Sequence, residues 1–292
     1  ARFVITETIV EIGAETLQPV TVVQHPQSLL LIPLHIPQGS VQIEQQTIVP
    51  FHFMINFAPK ITQPELMDKT TELIELLKSH ASPDHLAKMK RFGIPDERAL
   101  GVPVTQLRKI AKPYKRQHEL ALSLWETGWH EARLLAPMIA DPARTTPELA
   151  DRWTDGFDAW DICDMCCQNL LRHTPFAFDK IYAYAPREEE FVRRTAFALI
   201  ATLAVGDNKT GDEKFIPLFD LIETASADPR NFVRKAVNWA LRQTGKRNLR
   251  LHTQAVALSR RLGASADRTA AWIGRDALRE LSDPKIIARI KP

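Results

Sequence analysis

Cysteine is nearly absent from this 292-residue sequence, and the three that occur, Cys163, Cys166 and Cys167, fall within five residues of one another. An odd, clustered set builds no disulfide framework, so the reducing cytoplasm is the expected compartment. A structural zinc site takes about four ligands in spaced pairs, and a second pair is missing. The three thiols are therefore read as small apolar residues inside a helix, with no metal and no other cofactor expected. Glycine is scarce too, at 11 residues. No apolar run approaches the roughly 18–20 residues of a membrane span, so no membrane partner is expected. What is present is ordinary for a globular chain: 45% hydrophobic and 25% charged residues, which excludes a mostly disordered or fibrous protein. Few glycines and long stretches rich in Ala, Leu and Arg lean towards helices.

The 20 prolines are unevenly spread, with seven in residues 1–66. That segment is rich in Val, Ile, Gln and Thr, and runs such as Val41-Gln42-Ile43-Glu44 alternate as short strands do. It lacks the basic opening and small-residue cleavage site of a signal peptide. Met54 and Met67 read as candidate internal starts. Residues 1–66 are taken as a short irregular or β appendage or upstream extension, with no function assigned. Charge divides at the same place. Residues 1–66 hold two basic and five acidic residues, while the remainder holds 36 basic against 30 acidic. A moderately basic body suits a polyanionic partner without requiring one.

From Met67 onwards the sequence reads as helix after helix. Asp68–Ser79 is amphipathic, and a basic connector follows, Met89-Lys90-Arg91-Phe92-Gly93-Ile94-Pro95. Helical patterns cover roughly 104–117, 119–126, 129–140, 147–154, 158–172, 188–204, 213–225, 229–243, 248–262 and 266–281, punctuated by Pro and Gly. There is a weak internal repeat. Phe191-Val192-Arg193-Arg194 returns as Phe232-Val233-Arg234-Lys235 after 41 residues, and Trp129 and Trp160 precede Phe191 at steps of 31. Such periods predict an all-α solenoid of HEAT type over 67–292, with a concave basic face for partners.

Side chains turned off the core stripe are the candidates for function. In the helix after Pro229, Val233, Ala236, Val237, Ala240 and Leu241 form one stripe. Trp239 lies about 200° from Val237, with Lys235, Arg242 and Lys246 on its side. In the helix after Pro186, Arg194 points away from the stripe of Val192, Ala196, Leu199, Ile200 and Leu203. It sits beside Ala198 and Ala201, which leave room for a sugar-phosphate backbone. Trp160 and Asp164 are four apart and share a helix face. A carboxylate beside an indole at a half-buried position needs a partner or a functional reason. Asp161 is expected to be solvated near its helix start. Basic residues continue through Lys246-Arg247, Arg250, Arg260-Arg261, Arg268, Arg275 and Arg279. If they meet phosphates, salt weakens binding steeply.

Taken in order, Met89-Lys90-Arg91-Phe92-Gly93-Ile94, Trp125-Glu126, His130-Glu131-Ala132-Arg133, Trp160-Asp161-Ile162-Cys163-Asp164, Arg193-Arg194-Thr195-Ala196-Phe197 and Lys235–Arg242 resemble the DNA alkylation repair family. These are the AlkD-like alkylpurine DNA glycosylases built from HEAT-like repeats. The resemblance spans about 67–292 and leaves residues 1–66 unmatched. It implies that Trp160, Asp164 and Trp239 form the catalytic cleft, with Arg194 holding a phosphate near the lesion. Arg193, Lys235, Arg242, Lys246 and Arg247 are the further DNA contacts. It also implies hydrolysis of the N-glycosidic bond of N3- or N7-alkylated purines in duplex DNA, without base flipping; a monomer is the simplest expectation, and the chemistry calls for no metal. Two rival functions remain open at this point: a related helical module that binds DNA structures without cleaving, and a protein-binding scaffold.

Overall fold

The computed structural model describes residues 62–290 together with three short strands nearer the N-terminus. The chain divides into two compact units, Ala1–Ala58 and Pro59–Pro292. In the first, β1 (Ile5–Glu7), β2 (Val20–His25) and β3 (Ser28–Pro33) pair antiparallel in chain order. The alternating run Val41–Glu44 lies outside the described residues.

The second unit is built of helices. They are α1 (Gln63–Ser79), α2 (Pro83–Arg91), α3 (Val104–Ala111), α4 (His118–Glu126), α5 (His130–Ile139), α6 (Pro147–Asp155) and α7 (Trp160–Asn169). There follow α8 (Ala177–Tyr184), α9 (Glu190–Gly206), α10 (Leu218–Ala225), α11 (Asn231–Gly245), α12 (Leu249–Gly263), α13 (Arg268–Leu281) and α14 (Pro284–Ile287). α1 begins at Gln63 rather than Asp68, because the Thr62 hydroxyl accepts from the Glu65 N–H and Pro64 suits a first turn. The basic connector contains a helix, α2, capped by Ser82 and opened by Pro83. α8 was not foreseen between Pro175 and Pro186. Its inward set of Ala177, Ile181 and Tyr184 is short but fully buried.

From α5 onwards the odd-numbered helices pack against one another in succession, and most of the even-numbered helices back them. The repeat read from the sequence marks the starts of α5, α7, α9 and α11. Trp129 precedes α5, Trp160 opens α7, and Phe191 and Phe232 are the second residues of α9 and α11. The rings of Phe191 and Phe232 stand 5.5 Å apart. These four helices thus enter the stack on an aromatic residue, and those of α9 and α11 stand against one another.

Polar contacts set the register of the stack. Between α11 and α13 three rungs share one offset. The Arg234 guanidinium lies 5.2 Å from the Trp272 ring, the Asn238 amide donates to Asp276 at 2.7 Å, and Arg242 pairs with Glu280. Sliding either helix by one residue would break all three. The turn before α11 is held likewise. Asp228 receives Arg193 at 2.9 Å and Arg230 at 2.5 Å. Against the upward push of its own burial, these hydrogen bonds hold its carboxyl down at about 2.

A carboxylate lowered on folding stabilises the protein above its unfolded pKa, and that contribution is lost as pH falls through the folded value. Asp228→Asn is therefore expected to cost on the order of 2 kcal/mol at neutral pH. The gap from the wild type should close between pH of about 4 and about 2. Thermal melts across that range check it, and equal melting temperatures at neutral pH would refute the clamp. No helix among the described residues is long and apolar enough to cross a membrane.

Candidate active site

The site starts from the packing of α9 between α7 and α11. From Val192 to Ala204 all but one side chain of α9 is buried. Arg194 is among them, at 5% exposure. The reading that Arg194 faces outward is corrected by this. A wheel with one core stripe does not describe a helix enclosed on several sides. Ala198 and Ala201 are also fully buried, so their small size lets neighbouring helices approach rather than making room for a partner.

A buried guanidinium requires a partner. Arg194 Nε donates to Asp164 Oδ1 at 3.0 Å and Nη2 donates to Oδ2 at 2.8 Å. Nη1 donates to the Phe232 carbonyl at 2.6 Å. The fork-to-fork pair fixes the carboxylate in position and plane. Asp164 is the more open member, with about a fifth of its side chain exposed. Burial pushes its carboxyl up from the ordinary value, against the pull of Arg194 and with a smaller upward push from Asp161. Arg194 is thus committed to a carboxylate and a carbonyl instead of a phosphate.

Trp160 adjoins this pair. The Arg194 guanidinium lies 5.8 Å from its ring centroid. Its indole N–H donates to the Phe92 carbonyl at 3.1 Å, so the end of α2 lies against it. The next residue, Gly93, has φ +74, and a Cβ there would lie 3.1 Å from the Phe232 ring. The Phe92–Gly93 segment therefore bridges the aromatic residues that open α7 and α11. Asp161, expected to be solvated, instead lies 2.8 Å from His130 Nε2. That contact ties α5 to α7.

Trp239 stands apart. It is half-buried, seven residues past Phe232, which places it about 10 Å further along α11. With the Gln243 amide turned so that its oxygen faces them, the Trp239 indole N–H and Lys246 both donate to it at 3.2 Å. No hydrogen bond, ion pair or ring contact among the described residues joins Trp239 to Trp160, Asp164 or Arg194. The structure brings three of the four expected cleft residues together, from α7 and α9, and leaves the fourth on α11.

The expected phosphate contacts are mostly occupied. Arg242 and Lys246 share Glu280. Arg193 binds Asp228 and donates to the Ala185 carbonyl at 3.0 Å. Arg247 donates to the carbonyls of Ala204, Asp207 and Thr210, and its guanidinium lies 4.3 Å from the Phe215 ring. Such ties close helix ends and hold the stack together. Of the six, only Lys235 is exposed with no partner among the described residues.

The three cysteines are fully buried in α7. The Cys163 thiol lies 3.3 Å from the Thr195 hydroxyl, and Cys167 donates to the Thr195 carbonyl at 3.7 Å. Burial pushes the Cys166 and Cys167 thiols well up, so they stay protonated and unreactive. Among the described residues no group of His, Cys, Asp and Glu is placed to hold a metal.

Sequence reasoning missed two residues. Glu131 has no exposed surface, yet its carboxylate accepts from the N–H groups of Leu100 at 2.9 Å, Gly101 at 2.7 Å and Val102 at 3.2 Å. Phe92 is 66% exposed beside Trp160. Both belong to quoted motifs, but nothing in their spacing distinguishes a loop anchor or a projecting ring from ordinary surface residues.

Comparison with known proteins supplies the family. A family model described as "DNA alkylation repair enzyme" matches residues 73–281. A solved structure from "a new family of proteins related to the HEAT-like repeat DNA glycosylases with affinity for branched DNA structures" is 21% identical, with a TM-score of 0.62. The match covers 72% of this chain and 94% of that one. A designed armadillo repeat protein in complex with a (KR)4 peptide is 14% identical, covering 77% of this chain and 95% of that one, with a TM-score of 0.36. No curated protein matches.

Proposed function

Because this chain belongs to the DNA alkylation repair enzyme family, we propose that it is a monofunctional DNA glycosylase. In this reading it hydrolyses the N-glycosidic bond of N3- or N7-alkylated purines in duplex DNA and leaves an abasic site. The observation that carries the proposal is Asp164, held at both oxygens by a buried arginine yet open to solvent beside Trp160.

The chemistry needs little more. A purine alkylated at N3 or N7 already carries positive charge. When the glycosidic bond breaks, its electrons pass to the base and neutralise that charge. The sugar is left as an oxocarbenium-like cation, which water attacks before losing a proton. Asp164 stabilises the cation and orients the water. Trp160 and Trp239 offer ring faces to cationic base and sugar, at about 0.5–2 kcal/mol each. Arg194 acts through Asp164, by fixing its plane. Lys235 supplies a phosphate contact that positions the duplex without reading sequence. The substrate is duplex DNA engaged by a monomer, with the base left in the helix.

A second reading has one observation in its favour. Both Asp164 oxygens are occupied by Arg194, as in a purely structural ion pair. The protein would then bind DNA without cutting it, in line with the affinity for branched DNA named for the structure it resembles.

Incubation with methylated duplex DNA separates the two. Free 7-methylguanine or 3-methyladenine should appear, and binding should weaken steeply with salt. Salt-dependent binding without any released base would establish the second reading. No binding at all would leave a protein-binding scaffold.

A further inference from the structure

We propose that Phe92 is the residue that enters the duplex, as an apolar wedge at a base step, in the DNA-binding mode on which the glycosylase reading rests. Phe92 is the most exposed aromatic side chain among the described residues, at 66%. Burying such a ring stabilises a complex, and nothing described in the chain covers it.

Its mount is rigid. The Phe92 N–H donates to the Met89 carbonyl at 2.9 Å, the Gly93 N–H to Lys90 at 3.0 Å and the Ile94 N–H to Met89 at 3.2 Å. Met89 and Ile94 are buried, and anchor the segment on both sides. The Phe92 carbonyl is held by the Trp160 indole, and Gly93 lies against Phe232. A projecting ring on a fixed backbone loses little entropy on insertion. The segment that carries the ring is therefore tied to Trp160, the neighbour of the Arg194–Asp164 pair.

The surroundings select the partner. The last turn of α2 carries Lys88, Lys90 and Arg91, all exposed. Lys90 is paired with Asp96 at 3.1 Å, whereas Lys88 and Arg91 have no ion-pair partner among the described residues. Two such cations beside one projecting aromatic residue match the pattern of proteins that place phosphates against Lys and Arg while an apolar side chain parts two base pairs. Parting a step loosens the stack around a lesion and admits water to the glycosidic bond, while the base stays in the helix.

The test uses the full chain and a duplex carrying 2-aminopurine, whose fluorescence rises on unstacking. Saturating wild-type protein should raise the signal. Phe92→Ala should bind on the order of tenfold more weakly and leave the signal at its free-duplex level. Its salt dependence should be unchanged, because no phosphate contact is removed. Phe92→Leu and Phe92→Trp should keep the signal. A merely structural role for the ring would lower the melting temperature without separating these readouts. Wild-type protein that binds and releases bases while Phe92→Ala matches it in affinity and fluorescence would overturn the wedge alone. Wild-type protein that fails to bind DNA would overturn the glycosylase reading as well.

Discussion

Asp164→Asn should bind DNA as the wild type does and release alkylated bases at least a hundredfold more slowly, the usual cost of removing one group that stabilises transition-state charge. Asparagine keeps the shape of the side chain and one acceptor oxygen for Arg194, but supplies no negative charge to the developing sugar cation. The substitution also leaves a guanidinium with 5% exposure without its counter-charge. A loss of about 3 kcal/mol in stability is expected from that, lowering the melting temperature by roughly 10 °C in a protein of this size. Rates are therefore to be compared at a temperature where both melting curves show the native state. The wild-type rate should also carry an acid limb. The reactive form is the ionised carboxylate, and burial raises its pKa. Activity should accordingly fall at a higher pH than an ordinary aspartate would give. Undiminished base release by Asp164→Asn would reduce the ion pair to a structural tie and leave the DNA-binding reading.

Glu131→Ala should be the most damaging single change to the fold. Glu131 is a completely buried carboxylate with no ion-pair partner among the described residues, satisfied by three successive main-chain N–H groups. The loop it holds has no alternative. Gly101 has φ +75, and a Cβ there would meet the Ser82 carbonyl oxygen at 2.3 Å. Alanine at 131 leaves three buried donors unpaired. At about 1–3 kcal/mol for each unsatisfied group, the loss is on the order of 4 kcal/mol, allowing for partial access of water. The melting temperature should drop by more than about 10 °C. Glu131→Gln should fall between, since its amide retains one acceptor oxygen. A shift of only a degree or two would show that the loop is held by other means.

The residues involved explain which parts were legible. Trp129, Trp160, Phe191 and Phe232 could be found from spacing because each stands at the entry to one of the helices α5, α7, α9 and α11. Trp160 and Asp164 could be paired because four residues make one turn. Arg194 was singled out but oriented wrongly, since a helical wheel assumes a single buried side. α2 was passed over because its nine residues carry only Leu86, Ala87 and Met89 as apolar positions. The expected DNA contacts of Arg242, Lys246 and Arg247 went to Glu280 and to main-chain carbonyls, partners more than thirty residues away that no local pattern announces.

Periodicity and residue type alone were enough to predict a helical-repeat protein, and its ordered motifs resemble the alkylation repair family, with a tryptophan, an aspartate and an arginine worth watching. Both kinds of signal are local, and they repeat. Tertiary packing decided the rest: that Arg194 turns inward to grip Asp164, that Glu131 holds a loop, that most of the expected phosphate-binding cations are already engaged, and that Phe92 projects from a segment tied to Trp160. Each of those outcomes depends on which charge meets which partner across neighbouring helices. Burial sets the strength of such contacts, and burial exists only once the stack has closed.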